Sequence, residues 1–211
     1  MKKSVIVLGA GGHAKVVIEL LNASGYQVDF CVGGNDSPRD CLGIPVLRGD
    51  RHLRQLRDDG YGLVFAAIGS NVIRERAAAH AVDLGYKLVN AISPHAEISL
   101  SAVLGVGIAI MSGVVINAES RIDDLAIINT GATVDHDCHV GFCAHVAPQC
   151  ALAGNVQVGR HAFLGIGTKV VPNIKVGDNA TTGAGSVVIS EVSASTIALG
   201  NPAKPLKESG N

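Results

Sequence analysis

Two short stretches of the chain carry residue types at spacings that chemistry uses. His136 and Asp137 are adjacent. An imidazole titrates near neutral pH and can accept a proton, and a carboxylate beside it can fix its tautomer or raise its basicity. The second stretch is Gly9-Ala10-Gly11-Gly12-His13-Ala14, directly after the β-branched run Ser4–Leu8. A glycine-rich turn that opens a helix points backbone N–H groups at a phosphate or pyrophosphate. The same six residues satisfy the dinucleotide fingerprint G-x-G-x-x-A, and Asp29 follows Gly9 by 20 positions. A tight strand-to-helix turn without a ligand is the plain structural reading. His13 either caps this turn or donates to a phosphate. His139, His145 and His161 lie near His136 in sequence. Three converging histidines can hold a zinc ion, so a metal-dependent hydratase is one reading to weigh.

The element that must position His136 is a repeat. From Ile92 to Val188 every sixth residue is aliphatic except Thr182, 17 positions in an unbroken phase. The residue four places later is small or aliphatic, as at Ala126, Ala132, Cys138, Ala144, Cys150, Val156 and Ala162. A period of six fits neither a helix nor a hairpin. It fits a solenoid of one flat strand and one turn per unit, three units closing a triangular coil of about 18 residues. We expect a left-handed parallel β-helix with the aliphatic and small residues inside. His136 takes the third place of its unit and should point outward. Residues 18 apart should stack roughly 4.8 Å apart, which puts His136 against Gly154. His145, half a coil away, should face another side, so the two histidines meet only across a subunit interface. β-Helices of this hand are dominated by acyltransferases; one without enzymatic activity is the plainer alternative.

Residues 1–90 read differently, as an α/β domain of Rossmann-like type, with the β-helix and tail at 91–211. Strands are expected at Ser4–Leu8, Gln27–Val32, Leu63–Ile68 and Lys87–Ile92. Helices are expected at His13–Asn22, with Val16, Val17, Leu20 and Leu21 on one side, and at Asp50–Asp59 and Asn71–Leu84. Strands alternating with helices imply a parallel sheet covered on both faces. The domain is half a full dinucleotide fold, which favours a mononucleotide. A nicotinamide enzyme or a nucleotide sensor would leave the long β-helix without a purpose.

Composition narrows the classes further. A net charge of −1 gives no electrostatic case for nucleic acid or an anionic membrane. The first residues are too short an apolar run for a signal peptide, and no stretch of 18 apolar residues spans a bilayer. Five cysteines without a CxxC pattern read as reduced thiols in the cytoplasm. Aromatic residues make up only 3%, against 26 glycines, which suits an interior too narrow for rings.

Three motifs together resemble one family. They are Val7-Leu8-Gly9-Ala10-Gly11-Gly12-His13-Ala14-Lys15-Val16-Val17, Ala67-Ile68-Gly69-Ser70-Asn71, and Asn129-Thr130-Gly131-Ala132-Thr133-Val134-Asp135-His136-Asp137-Cys138. They look like the sialic-acid O-acetyltransferase family of hexapeptide-repeat sugar acetyltransferases. Its best understood members N-acetylate nucleotide-linked 4-amino-4,6-dideoxy sugars in bacterial surface glycan synthesis. The resemblance covers essentially the whole chain, and Val89 to Gly167 looks closest to the GDP-perosamine N-acetyltransferases.

The resemblance implies an acetyl-CoA-dependent homotrimer without a metal, with the nucleotide sugar on the N-terminal domain and acetyl-CoA along the β-helix between subunits. It implies His136 as general base with Asp137 beside it, and the Gly154 N–H polarising the acetyl carbonyl. It implies substrate contacts from Gly11, Gly12, His13, Asp36, Gly69, Asn71, Arg74, Asn129 and His145. Asn129 reads equally well as a corner asparagine. Outward backbone at Ile166, Gly167, Ala184 and Gly185, with the tail around Pro202 and Lys204, is expected to hold CoA. Lys169, Lys175 or Lys204 is a candidate for its 3′-phosphate, although a lysine at such a place is more often simply a solvated surface residue. Where the family carries paired acids after the second strand, this chain has Gly33-Gly34, then Asn35-Asp36. The nucleobase is therefore not carried over. The long-range histidine spacing of β-helix hydratases is absent, and sugar O-acetylation is the nearer alternative.

Overall fold

The structure is a computed structural model that describes residues 3–206. The chain divides between Pro94 and His95 into two compact units. The first opens with β1 (Lys3–Leu8), α1 (Gly12–Ala23) and β2 (Tyr26–Gly33). A hairpin of β3 (Asp40–Cys41) and β4 (Ile44–Arg48) follows, then α2 (Arg51–Asp58), β5 (Leu63–Ala66), α3 (Asn71–Asp83) and β6 (Lys87–Leu88). The sheet order is β3-β4-β2-β1-β5-β6, parallel except for the β3–β4 hairpin. β1 is central, and Val5, Ile6 and Val7 are fully buried, as a strand covered on both faces requires.

Several expected elements are corrected. The buried residues of α1 are Ala14, Val17, Ile18, Leu20 and Leu21, with Ala14, Val17, Ile18 and Leu21 spaced i, i+3, i+4, i+7; of the expected face only Val16 is out of the core, at 42% exposed. The hairpin was not anticipated. Its turn is Leu42-Gly43 with φ of 53° and 75°, the type I′ pattern, but leucine stands where asparagine or aspartate would have signalled it. β5 stops at Ala66. The final strand is broken at Val89-Asn90, leaving Lys87–Leu88 in the sheet and Ala91–Ile92 as a separate piece.

The second unit is the left-handed β-helix. Its two-residue strands stack into three parallel sheets. One contains Glu97–Ile98 through Val187–Val188, a second Val103–Leu104 through Lys175–Val176, and a third Ala109–Ile110 through Ile197–Leu199. The register is 18 residues throughout the first five pairings of the first sheet, for example Ile116↔Val134 and Val134↔Leu152. The repeated aliphatic positions from Ile110 to Val188 are 3% exposed or less. Each buried Val, Ile or Leu contributes roughly 1.5–3 kcal/mol. Thr182, the one polar member, is 1% exposed. Its hydroxyl meets Thr168 Oγ1 at 2.8 Å and accepts from Gly165 N at 3.3 Å, so its polarity is matched inside the prism. Phe142 and Phe163, the two phenylalanines of this unit, are not fully buried, in keeping with an interior too narrow for them. The last coil is tighter: Val176↔Val192 and Thr182↔Ala198 are 16 apart. Lys204–Pro205 then pairs antiparallel with Ala198–Leu199 and covers that end of the third sheet.

Candidate active site

His136 sits in the turn that joins the first sheet to the second, after strand Thr133–Val134. Gly154 holds the matching turn one coil on, after Ala151–Leu152. Asn155 N donates to His136 O at 2.9 Å, which locks the two turns together. A methyl placed on Gly154 would lie 2.6 Å from both Cε1 and Nε2 of His136. The imidazole therefore rests on the glycine backbone, and only a residue without Cβ leaves room for it. The Gly154 C=O accepts from Asn173 N at 3.1 Å, while its N–H has no acceptor among the described residues.

The ring is oriented from its other side. His136 Nδ1 and Asp137 Oδ2 are 2.7 Å apart. An ionised carboxylate only accepts, so Nδ1 carries the proton and Nε2 keeps a lone pair. The hydrogen bond to Asp137, with the charge of Asp135 next, raises the His136 pKa above its ordinary value. Asp137 itself takes φ +59°, the left-handed corner conformation that aspartate and asparagine tolerate. Asp135 accepts the His136 N–H at 2.8 Å and Asn117 Nδ2 at 3.0 Å, and the Ser120 hydroxyl donates to its carbonyl at 2.6 Å. This arrangement can take a proton at Nε2 and offer one N–H to a developing oxyanion.

The other expected β-helix residues gather elsewhere. His145 lies in a strand of the third sheet and is 8% exposed; its Nε2 is 3.1 Å from Asn129 Nδ2, and its ring meets Phe163 edge to face at 5.2 Å. Ile166-Gly167 and Ala184-Gly185 stack 18 apart in the turn between the third and first sheets, joined by Gly185 N→Ile166 O at 2.8 Å. The N–H groups of Ile166 and Ala184 have no acceptor among the described residues. The tail bearing Pro202 and Lys204 returns to the same edge, with Ala203 N→Val187 O at 2.8 Å. Within one chain, His136, Asp137 and Gly154 occupy one corner of the prism and this second group occupies another.

In the N-terminal unit α1 follows Gly11 with no side-chain cap, and a helix start of this kind favours an anion. A Cβ added at Gly11, Gly12 or Gly69 would touch nothing within 4 Å, and none of the three has a positive φ. Neither packing nor conformation demands glycine at these three positions. His13 is on the first turn of α1 and does not cap it. Burial, then the charge of Arg74, lowers its pKa to about 4, so at neutral pH it is an uncharged donor. Arg74, expected among the substrate contacts, directs its guanidinium to the Ile68–Asn71 loop. It is 1% exposed and donates to Ile68 O at 3.0 Å, Gly69 O at 3.2 Å and Asn71 Oδ1 at 2.9 Å. It holds the loop that carries Gly69 and Asn71.

Asp36, another expected substrate contact, is exposed. It lies on the exposed turn closed by Ser37 N→Gly34 O, away from the cavity beside it. That cavity, about 320 Å³, opens at the C-terminal ends of β1 and β2. β1 has β2 on one side and β5 on the other, so this is the switch point where ligands enter open α/β sheets. Its polar rim is Asp50, Arg76 and His80, none singled out by the sequence. The helical spacing of Arg76 and His80 on α3, four residues apart, was the available signal.

Among the described residues no three His, Cys, Asp or Glu side chains group as metal ligands. His139 instead pairs with Asp123 at 2.8 Å, and His161 packs on Phe142. All five cysteines are buried and free. No helix of the described residues is long and apolar enough to cross a membrane.

Residues 4–81 match the PglD N-terminal domain family, and residues 155–190 match the bacterial transferase hexapeptide family of six repeats. The chain is 48% identical to perosamine N-acetyltransferase from Caulobacter crescentus, solved as a histidine-to-asparagine variant in complex with CoA and GDP-perosamine. The match covers 97% of each chain with a TM-score of 0.95. It is 36% identical to the acetyltransferase domain of PglB from Neisseria gonorrhoeae FA1090 in complex with acetyl coenzyme A. There 98% of this chain and 100% of that one align, with a TM-score of 0.90. WeeI from Acinetobacter baumannii AYE shares the fold at 23% identity, over 96% of this chain and 99% of that one, with a TM-score of 0.83.

Proposed function

The chain belongs to the hexapeptide-repeat sugar acetyltransferase family of these relatives, and from that premise we propose that it moves the acetyl group of acetyl-CoA to the 4-amino group of a nucleotide-linked 4-amino-4,6-dideoxy sugar. The observation that carries the reading is the His136 ring, oriented by Asp137 and seated on Gly154, whose N–H has no acceptor among the described residues. The amine lone pair attacks the thioester carbonyl. The oxygen gains charge and accepts a hydrogen bond from Gly154 N–H. His136 Nε2 takes the proton that the attacking nitrogen must lose. The C–S bond then breaks, and the imidazolium returns that proton to the CoA thiolate. No covalent enzyme intermediate is needed.

The acting unit in this reading is a homotrimer. The corner bearing His136 on one subunit faces the corner bearing Asn129, His145, Ile166 and Ala184 on its neighbour. The exposed apolar residues Phe163, Ile166 and Ile197, 36–53% accessible, support a buried interface on that side. CoA then runs along the Ile166–Ala184 edge toward Pro202 and Lys204. The nucleotide diphosphate takes the Gly11-Gly12 turn, with His13, Gly69 and Asn71 around it. The setting that fits is the cytoplasmic stage of bacterial surface-glycan (O-antigen) synthesis, and five buried free thiols suit a reducing compartment. Incubation with acetyl-CoA and GDP-perosamine tests the proposal. Stoichiometric thiol release and an alkali-stable acetamide are expected. An alkali-labile ester would assign O-acetylation, and the absence of acceptor-dependent thiol with GDP-, UDP- and dTDP-linked 4-amino sugars alike would refute acyl transfer to this class of acceptor.

A further inference from the structure

We propose that the cavity at the C-terminal edge of the N-terminal sheet is a guanine pocket, in which Arg76 reads the O6/N7 edge of the base and Asp50 its N1/N2 edge. This rests on the nucleotide-sugar reading and deepens it by naming the base. The cavity walls are aliphatic: Leu8, Val32, Leu53, Ile68, Ile73 and Ala77. Such a slot suits the two faces of a flat heterocycle and leaves discrimination to polar groups at the rim. Gly33 and Gly34 line it without side chains, and a Cβ at Gly34 would meet nothing within 4 Å.

The rim groups are unspent. Asp50 starts α2, yet its carboxylate makes no cap hydrogen bond. The Arg76 and Asp50 side chains have no hydrogen bond or ion pair among the described residues. A guanidinium only donates and a carboxylate only accepts. Guanine offers two adjacent acceptors, O6 and N7, which suit a bidentate arginine. It also offers two adjacent donors, N1–H and N2–H, which suit both carboxylate oxygens. Adenine presents a donor where Arg76 needs an acceptor. Uracil and thymine have one ring N–H between two carbonyls, and a second carbonyl would oppose Asp50.

Calorimetric titration of the intact protein with GDP, ADP, UDP and dTDP tests the inference without any acetyl transfer. GDP should bind at least about tenfold tighter than the others. Asp50→Asn and Arg76→Gln should each weaken GDP about tenfold or more, and UDP less than about threefold. Tighter binding of UDP or dTDP overturns the guanine assignment and leaves the nucleotide-sugar reading intact. Equal losses for all four diphosphates overturn it as well, by assigning these side chains to the phosphates. Failure of every diphosphate to bind overturns the nucleotide-sugar reading and this inference with it.

Discussion

Replacing Gly154 with alanine separates seating the base from building the coil. Gly154 does not have a positive φ, and the equivalent corner position is His136 one coil earlier, so alanine strains no backbone. The new methyl would stand 2.6 Å from Nε2 and Cε1 of His136, whereas ordinary contact begins at 3.4 Å, so the ring must retreat by about 0.8 Å. It is tethered at 2.7 Å to Asp137 and cannot retreat without loosening that bond. A misplacement of about 1 Å at a reacting group costs on the order of a hundredfold, or about 2.7 kcal/mol of barrier. Thiol release from acetyl-CoA with a saturating amino-sugar acceptor should therefore show kcat down about a hundredfold, with an unchanged thermal midpoint. Adding the same methyl to His136→Ala should cost nothing more, because nothing is left to displace. A Gly154→Ala enzyme within about threefold of the parent would refute the claim that this glycine seats the base.

Three further outcomes follow from the same geometry. Asp137→Asn keeps the left-handed corner but removes the partner that most raises the His136 pKa. The acidic limb of the pH profile of kcat/KM should move to lower pH; a limb that stays fixed would detach it from His136. Arg74→Ala removes three hydrogen bonds from the Ile68–Asn71 loop, and chemical denaturation should report a loss of about 2–4 kcal/mol together with weaker nucleotide binding. Thr182→Val restores the aliphatic rule while Thr168 keeps Gly183 O as an acceptor, so stability measured the same way should change by less than about 1 kcal/mol.

The β-helix was legible because its period is set by one geometric demand repeated at every unit: an aliphatic side chain must point inward once per strand. That phase alone set His136 against Gly154 and sent His145 to another sheet. The tightening of the last coil left no mark in the period, since the repeat ends at Val188 and Val192 and Ala198 resume two residues early. The N-terminal unit was less open to reading. Its hairpin turns on leucine at positive φ, and Val16 is apolar without being core. The candidate binding residues differ in how far sequence can place them, for a physical reason. Gly11, Gly12 and Gly69 advertise themselves by the absence of a side chain. Arg74 and Asp36 have binding chemistry, but burial commits the first to a loop and the second faces solvent. Asp50, Arg76 and His80 come to one cavity from the start of α2 and from α3, segments distant in sequence, which no local pattern records.

The central claim is that His136 Nε2 takes the proton from the attacking amine. It is tested most directly by kcat of purified His136→Ala at neutral pH, with acetyl-CoA and a nucleotide-linked 4-amino sugar both saturating. A fall of about a hundredfold or more, with substrate affinities retained, is the result this account predicts. A variant that turns over at nearly the parent rate would contradict it.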